Sequence, residues 1–212
     1  MKTIFISGID TDAGKTYATA WLARKFMDEG LTVVTQKFIQ TGNTGYSEDI
    51  VAHRRLMGIG LLPEDRDMTT APIIFTYPAS AQLAARIDGR DIDLGLVDKS
   101  TGILSSRYDV VLIEGAGGLM VPVTDDFLTI DYIESRKLPV ALVTNGKLGS
   151  INHTILSLEA LKSRGIKVEY ILYSQHLDTD KTIADDTVGF ITRYVARNFP
   201  ETELLFVPVY NK

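Results

Sequence analysis

Apolar residues along the chain follow two alternating rhythms. Short, largely β-branched runs stand at 4–6, 32–35, 110–113, 140–143 and 168–172. They are continuously apolar rather than alternating with polar residues, the pattern of strands covered on both faces. Leu204 to Val207 predicts a last, edge strand. Between these runs lie longer stretches of helical period. Thr16 to Glu29 sets Ala18, Leu22 and Phe26 on one face, with Arg24, Lys25, Asp28 and Glu29 elsewhere, and Gly30 ends it. Ser150 to Arg164 sets Ile151, Ile155, Leu158 and Leu161 on one side before Gly165, and Ala184 to Arg197 gives a third helix. From about Leu61 to Ser106 the rhythm weakens, with helices predicted at 80–87 and 94–106. Alternation of this kind predicts an α/β fold of three layers, a mostly parallel central sheet with helices on both faces. Without an internal repeat or flexible linker, the 212 residues read as one domain spanning 1–212.

Composition narrows the functions. A net charge of −5 argues against nucleic acid as the main partner, because phosphate backbones require an excess of Lys and Arg. The sequence has no cysteine, which excludes a disulfide scaffold, a thiolate metal site and a catalytic thiol. The apolar start is too short for a signal-peptide core, and no stretch approaches the roughly 18 apolar residues of a membrane span. A cytoplasmic protein with no membrane partner is expected.

The strongest local signal is Gly8-Ile9-Asp10-Thr11-Asp12-Ala13-Gly14-Lys15-Thr16, between the first strand and the first helix. Phosphate requires converging backbone N–H groups, a helix N-terminus and a positive side chain. Gly14 permits close approach, Lys15 can reach the β and γ phosphates, and the Thr16 hydroxyl suits Mg2+. The order strand, loop, helix predicts a P-loop NTPase fold. Five residues, Ile9 to Ala13, separate the glycines where the usual pattern has four.

In open parallel sheets, ligands collect beyond the carboxyl ends of the strands. Glu114 follows the run 110–113 and precedes Gly115-Ala116-Gly117-Gly118, a place where a carboxylate can hold Mg2+. Lys37 follows the second strand and is expected to face the crevice that Lys15 enters. Two lysines suit chemistry with concentrated oxygen charge. Asp49 opens a helix, where interaction with its dipole is explanation enough. His53, His153 and His176 lack metal-ligand spacing and read as ordinary polar residues. Trp21 reads as core or interface packing.

Taken together, these segments resemble the dethiobiotin synthetase family. The phosphate loop resembles that family's G-T-D-T-x-x-G-K-T, extra residue included. Lys37-Phe38-Ile39-Gln40-Thr41-Gly42 resembles K-P-x-x-[ST]-G, and Glu48-Asp49 stands where the family has an Asp opening a helix. Glu114 to Gly118 matches E-G-A-G-G, and Lys147 to His153 resembles K-L-G-x-I-N-H. The matches share order and spacing from residue 8 to residue 154.

The resemblance implies a homodimer that uses ATP, Mg2+ and CO2 to close the ureido ring of 7,8-diaminononanoate, giving dethiobiotin in biotin synthesis. An amine takes up CO2 as a carbamate, the carbamate attacks the γ-phosphate, and the second amine expels phosphate from the anhydride. It implies catalytic roles for Lys15, Lys37 and Thr11, and nucleotide contacts from Asp12, Ala13, Gly14, Lys15, Thr16, Tyr17 and Gln175. It implies Mg2+ ligation by Thr16, Asp49 and Glu114. Substrate contacts fall to Thr41, Gly117, Gly149, Ser150 and Asn152, the last three at a helix start facing the partner subunit.

Some positions depart from the family. Asp12 replaces a longer glutamate, Pro78-Ala79-Ser80-Ala81-Gln82 stands where Ser-Pro-His is expected, and Ser174-Gln175 replaces an adenine-reading Asn. The C-terminal segment is short for the family, so a reduced base-binding loop is expected. Other readings are a cobyrinate amidase-type synthetase, which needs a glutaminase cysteine absent here, and a partitioning or Mrp-like switch ATPase. The latter usually carries an early loop lysine, where this chain has Gly8-Ile9-Asp10. A nucleotide-binding module without catalysis is disfavoured by Lys15, Thr16, Lys37 and Glu114.

Overall fold

The computed structural model describes residues 1–210. The chain runs through β1 (Lys2–Gly8), α1 (Lys15–Asp28), β2 (Val33–Lys37), β3 (Gln40–Thr41), α2 (Glu48–Met57), α3 (Pro63–Arg66), β4 (Ile74–Phe75), α4 (Ala81–Asp88) and α5 (Leu94–Ser105). It continues through β5 (Val110–Gly118), β6 (Pro122–Thr124), β7 (Phe127–Leu128), α6 (Thr129–Ser135) and β8 (Val140–Asn145). It then forms α7 (Ser150–Ser163), β9 (Val168–Ser174), a 3₁₀ turn (Gln175–Leu177), α8 (Lys181–Asn198) and β10 (Glu203–Val207).

Six strands form one sheet in the order β10-β9-β8-β1-β5-β2, and every pair in it is parallel. Side chains alternate across each strand, and that alternation divides the core. Phe5, Val111, Ile113 and Leu142 enter one apolar cluster with residues of α4 to α8. Ile4, Ile6, Val110, Leu112, Ala141 and Val143 enter the other, with α1 and the end of α2. Both faces of the inner strands are covered, which is why they read as unbroken apolar runs, while edge strand β10 leaves Phe206 exposed. β10 takes the predicted edge.

β1 lies near the middle, with β5 and β2 on one side and β8, β9 and β10 on the other. The order in which the chain adds strands reverses there, which opens a crevice beyond the strand ends for a ligand.

Three details differ from the sequence reading. β5 does not stop before its glycines. It runs to Gly118, so Glu114 pairs with Ile6 and Lys37 inside the sheet and is buried rather than set at a strand end. The buried face of α7 is Ser150, Thr154, Leu158 and Leu161, with Ile151 and Ile155 only half-buried. Two-residue strands β3 and β4 pair with each other and brace the segment after Lys37.

Candidate active site

The phosphate loop leaves β1 at Gly8 and enters α1 at Lys15. Gly14 caps α1 at φ 95°, and no side chain caps the helix, so the first-turn N–H groups stay directed into the loop. A Cβ at Gly14 would stand 2.8 Å from Ser174 Oγ, so this position requires glycine on both backbone and steric grounds. Lys15 Nζ curls back to donate to the Asp10 carbonyl at 3.0 Å. Burial pushes the Lys15 ammonium below the usual lysine value, and the charge of Glu114 opposes that shift.

Lys37 ends β2 directly beside Glu114 on β5. Its Nζ lies 2.5 Å from Asp49 Oδ2 and 2.8 Å from Glu114 Oε1, and donates to the Gly115 carbonyl at 3.2 Å. Burial works against its charge, yet Glu114 and Asp49 outweigh burial and raise it above an ordinary lysine. Burial likewise opposes the Glu114 carboxylate, but Lys37 and His53 hold it well below the usual carboxylate range. Thr16 completes the group, its Oγ1 lying 3.2 Å from Glu114 Oε1 and 3.3 Å from Asp49 Oδ1.

α2 delivers Asp49 because Ser47 caps it, accepting from the Ile50 N–H at 3.2 Å, and Glu48 and Asp49 fill its first turn. Thr16, Asp49 and Glu114 are hard oxygen donors on three separate elements. Among the described residues no three His, Cys, Asp or Glu side chains form a metal-binding group. The donor set therefore suits a cation that also takes oxygens from bound phosphates, not an all-protein cage.

A cavity of about 380 Å³ gathers most of the predicted site: Thr11, Asp12, Gly14, Lys15, Thr16, Tyr17, Lys37, Thr41, Asp49, Glu114 and Gly117. The Ala13 side chain is buried, leaving its backbone for contact. Gly149, Ser150 and Asn152 are not in that cavity. They open α7 nearby, where His153 Nδ1 lies 3.9 Å from Asp10 Oδ2 in the phosphate loop. Gln175 also stands apart, at the end of β9. Tyr17 reaches that region and stacks on His176, ring centroids 4.7 Å apart at 12°. A larger cavity of about 560 Å³ runs along α1 past Trp21 to Tyr210 and shares only Tyr17 with the smaller one. Trp21 is accordingly half-buried on the second cluster.

Two departures from the family acquire a place. Pro78 packs against Gly42, where a Cβ would meet Pro78 Cβ at 2.9 Å, so proline walls the segment after Thr41. The Gln82 amide instead donates to Asp125 on the β6–β7 hairpin.

The sequence reading takes His53 for an ordinary polar residue, and the structure gives it a place beside the site. It is fully buried on α2, with Nε2 2.7 Å from Glu114 Oε2 and Nδ1 3.0 Å from Thr35 Oγ1. The available signal was its spacing four residues after Asp49, which puts both on one face of a helix.

A family model described as an AAA domain matches residues 2–202. Over 201 residues the chain is 47% identical to an ATP-dependent dethiobiotin synthetase of Pasteurella multocida, covering 95% of this chain and 94% of the relative. The chain belongs to the ATP-dependent dethiobiotin synthetase family. A family member from Haemophilus influenzae is 51% identical over 84% of this chain and 94% of its own length. One from Chlorobaculum tepidum is 49% identical over 92% of this chain and 82% of its own. Among solved structures, the signal recognition particle receptor FtsY of Elizabethkingia anophelis superposes with a TM-score of 0.56 at 16% identity. That match covers 99% of this chain and 62% of the receptor, and at such identity it shows a shared P-loop NTPase fold alone.

Proposed function

We propose that the protein is an ATP-dependent dethiobiotin synthetase, a ligase of biotin synthesis that closes the ureido ring of 7,8-diaminononanoate with CO2. Curated relatives of near-equal length carry that name. The observation that carries the residue-level reading is the placement of Lys37 between Glu114 and Asp49, across one cavity from the phosphate-loop Lys15.

An amine cannot expel oxide from a carbamate, so the oxygen must first become part of a leaving group. One substrate amine adds to CO2 and loses a proton to give the carbamate. A carbamate oxygen attacks the γ-phosphorus and ADP leaves. The second amine then attacks the carbamoyl carbon, the C–O bond to phosphate breaks, and the ring closes. Phosphoryl transfer is accelerated mainly by positioning and charge stabilisation. Lys15 stabilises the transferring phosphoryl group, and Lys37 the carbamate and anhydride oxygens. Thr11 and Thr41 donate hydrogen bonds to the same oxygens, with Gly117 leaving space for the substrate. Thr16, Asp49 and Glu114 would hold Mg2+, which when bound would supply positive charge against the phosphates of ATP.

Backbone of Asp12, Ala13 and Gly14 cradles the phosphates, while Tyr17 and Gln175 face the nucleoside. The N-terminus of α7, with Gly149, Ser150 and Asn152, takes the substrate carboxylate. Ser150 Oγ is buried without a hydrogen-bond partner, which suits a donor awaiting an anion. A homodimer that brings this helix to the partner's site is supported by exposed apolar side chains on and just before it: Leu156 at 61% and Leu148 at 87%. The reading includes a cytoplasmic location, where ATP is at hand. No helix of the described residues is long and apolar enough to cross a membrane.

Isotope transfer tests the reaction order. With ¹⁸O-labelled bicarbonate supplied, one labelled oxygen should appear in the released phosphate during turnover. Phosphate free of label, alongside dethiobiotin formation, would rule out carbamate attack on ATP.

A further inference from the structure

Behind the carboxylate of Glu114 lies a chain of buried polar groups that the reaction scheme does not use. Arg54 on α2 is 1% exposed and grips Asp65 through two hydrogen bonds, Nε to Oδ2 at 2.9 Å and Nη2 to Oδ1 at 2.8 Å. The same guanidinium donates from Nη1 to Thr35 Oγ1 at 2.7 Å and from Nη2 to the Thr35 carbonyl at 3.3 Å. Thr35 Oγ1 stands 3.0 Å from His53 Nδ1, and His53 Nε2 stands 2.7 Å from Glu114 Oε2.

The direction of these bonds follows from counting protons. Arginine only donates, so Thr35 Oγ1 accepts from Arg54. Its own hydroxyl proton must then be donated, because a buried unpaired O–H costs about 1–3 kcal/mol. His53 Nδ1 is the partner within reach, so Nδ1 accepts. The ring proton is therefore on Nε2, aimed at Glu114 Oε2. Donation runs one way, from Arg54 through Thr35 and His53 to the carboxylate.

We infer that His53 is a positioning residue for the cation site: by donating Nε2–H to Glu114 Oε2 it fixes the carboxylate plane and turns Oε1 toward Thr16 and Lys37. Three observations support this role. Oε1 alone meets Thr16 and Lys37, at 3.2 and 2.8 Å. His53 shares α2 with Asp49, so one rigid helix sets both carboxylates of the site. Asp65 ties α3 to the arrangement by also accepting from the Leu62 N–H and the Thr70 hydroxyl, each at 2.8 Å. The inference rests on the proposed Mg2+ role of Glu114, and partners behind metal ligands commonly change metal affinity about 10–100-fold when removed.

Two measurements on the full chain test it. In ¹⁵N-histidine NMR, with His53→Gln assigning the signals, His53 should show a protonated Nε2 and an unprotonated, acceptor-type Nδ1. Mg2+ titrated by calorimetry into protein holding a non-hydrolysable ATP analogue should bind about 10–100-fold more weakly in His53→Leu. Affinity for the analogue without Mg2+ should stay near that of the wild type. His53→Gln, which keeps an N–H donor near the same point, should recover most of the loss, with thermal melts showing each variant folded. A protonated Nδ1 with bare Nε2, or unaltered Mg2+ affinity in folded His53→Leu, would overturn the inference. Wild-type protein whose analogue complex takes up no Mg2+ would instead overturn the cation reading, and this inference with it.

Discussion

The two lysines of the site are buried alike yet pushed in opposite directions. Lys15, short of carboxylate contact, is lowered by burial, while Lys37 is raised by Glu114 and Asp49. Lys37 is thus a firmly held cation at the place where carbamate charge would build. Lys37→Gln should lower kcat by about 10²–10³ while ATP affinity changes only a few-fold; a mainly raised KM for ATP would contradict this role. Glu114 has the opposite sign of shift, a carboxyl held below its ordinary value of 4.5. A depressed carboxyl contributes stability above its ordinary value and loses it as pH falls through the folded value. The stability gap between wild type and Glu114→Gln should therefore hold between about pH 7 and pH 5 and close only in stronger acid. Urea denaturation at several pH values measures it, and a gap already closing near pH 6 would contradict the assignment. That Lys15, Thr16 and Glu114 line one cavity was legible, because a Gly-Lys-Thr turn after a strand and a carboxylate following an apolar run are both local patterns. His53 was not, since a lone histidine acquires meaning only when packing sets its helix against β5.

Elements set how precisely these residues are held. α1 and α2 take their places because Ala18, Leu22, Leu56 and Met57 bury against one face of the sheet. The joint between α2 and α3 is polar, with the Arg54–Asp65 pair almost wholly enclosed. Asp65→Asn leaves an enclosed guanidinium without its counter-charge, so it should cost about 3 kcal/mol of unfolding free energy. A loss under about 1 kcal/mol in urea titration would show the pair to be dispensable. Long elements were legible from their period, and the edge position of β10 from its place last in the chain. β3 and β4 were not, because two-residue strands have no period and arise from pairing alone. The course of β5 through its glycines escaped notice for a related reason: glycine ordinarily signals a turn, yet here the strand continues across Gly115.

At the scale of the whole molecule, the parallel sheet directs the phosphate loop, Lys37 and Glu114 to one crevice, while α7 presents its N-terminus beside it. In the proposed homodimer, the edge at exposed Leu148, next to Gly149, is where a second copy would complete the substrate site. Light scattering after size exclusion should give about twice the 23.4 kDa chain mass. Leu148→Asp should shift the protein toward monomer and raise KM for the diamine more than for ATP; a monomeric wild type with full activity would remove the partner from the site. The three-layer fold was evident from alternating apolar runs, whereas the exposure of Leu148 and Leu156 was not, because exposure is a property of the folded chain. The most direct test of the account is phosphate release from ATP, Mg2+ and bicarbonate, measured with and without 7,8-diaminononanoate while dethiobiotin is followed by mass spectrometry. The account predicts release that depends on the diamine and matches dethiobiotin mole for mole. Steady release indifferent to the diamine, with no dethiobiotin formed, would contradict it.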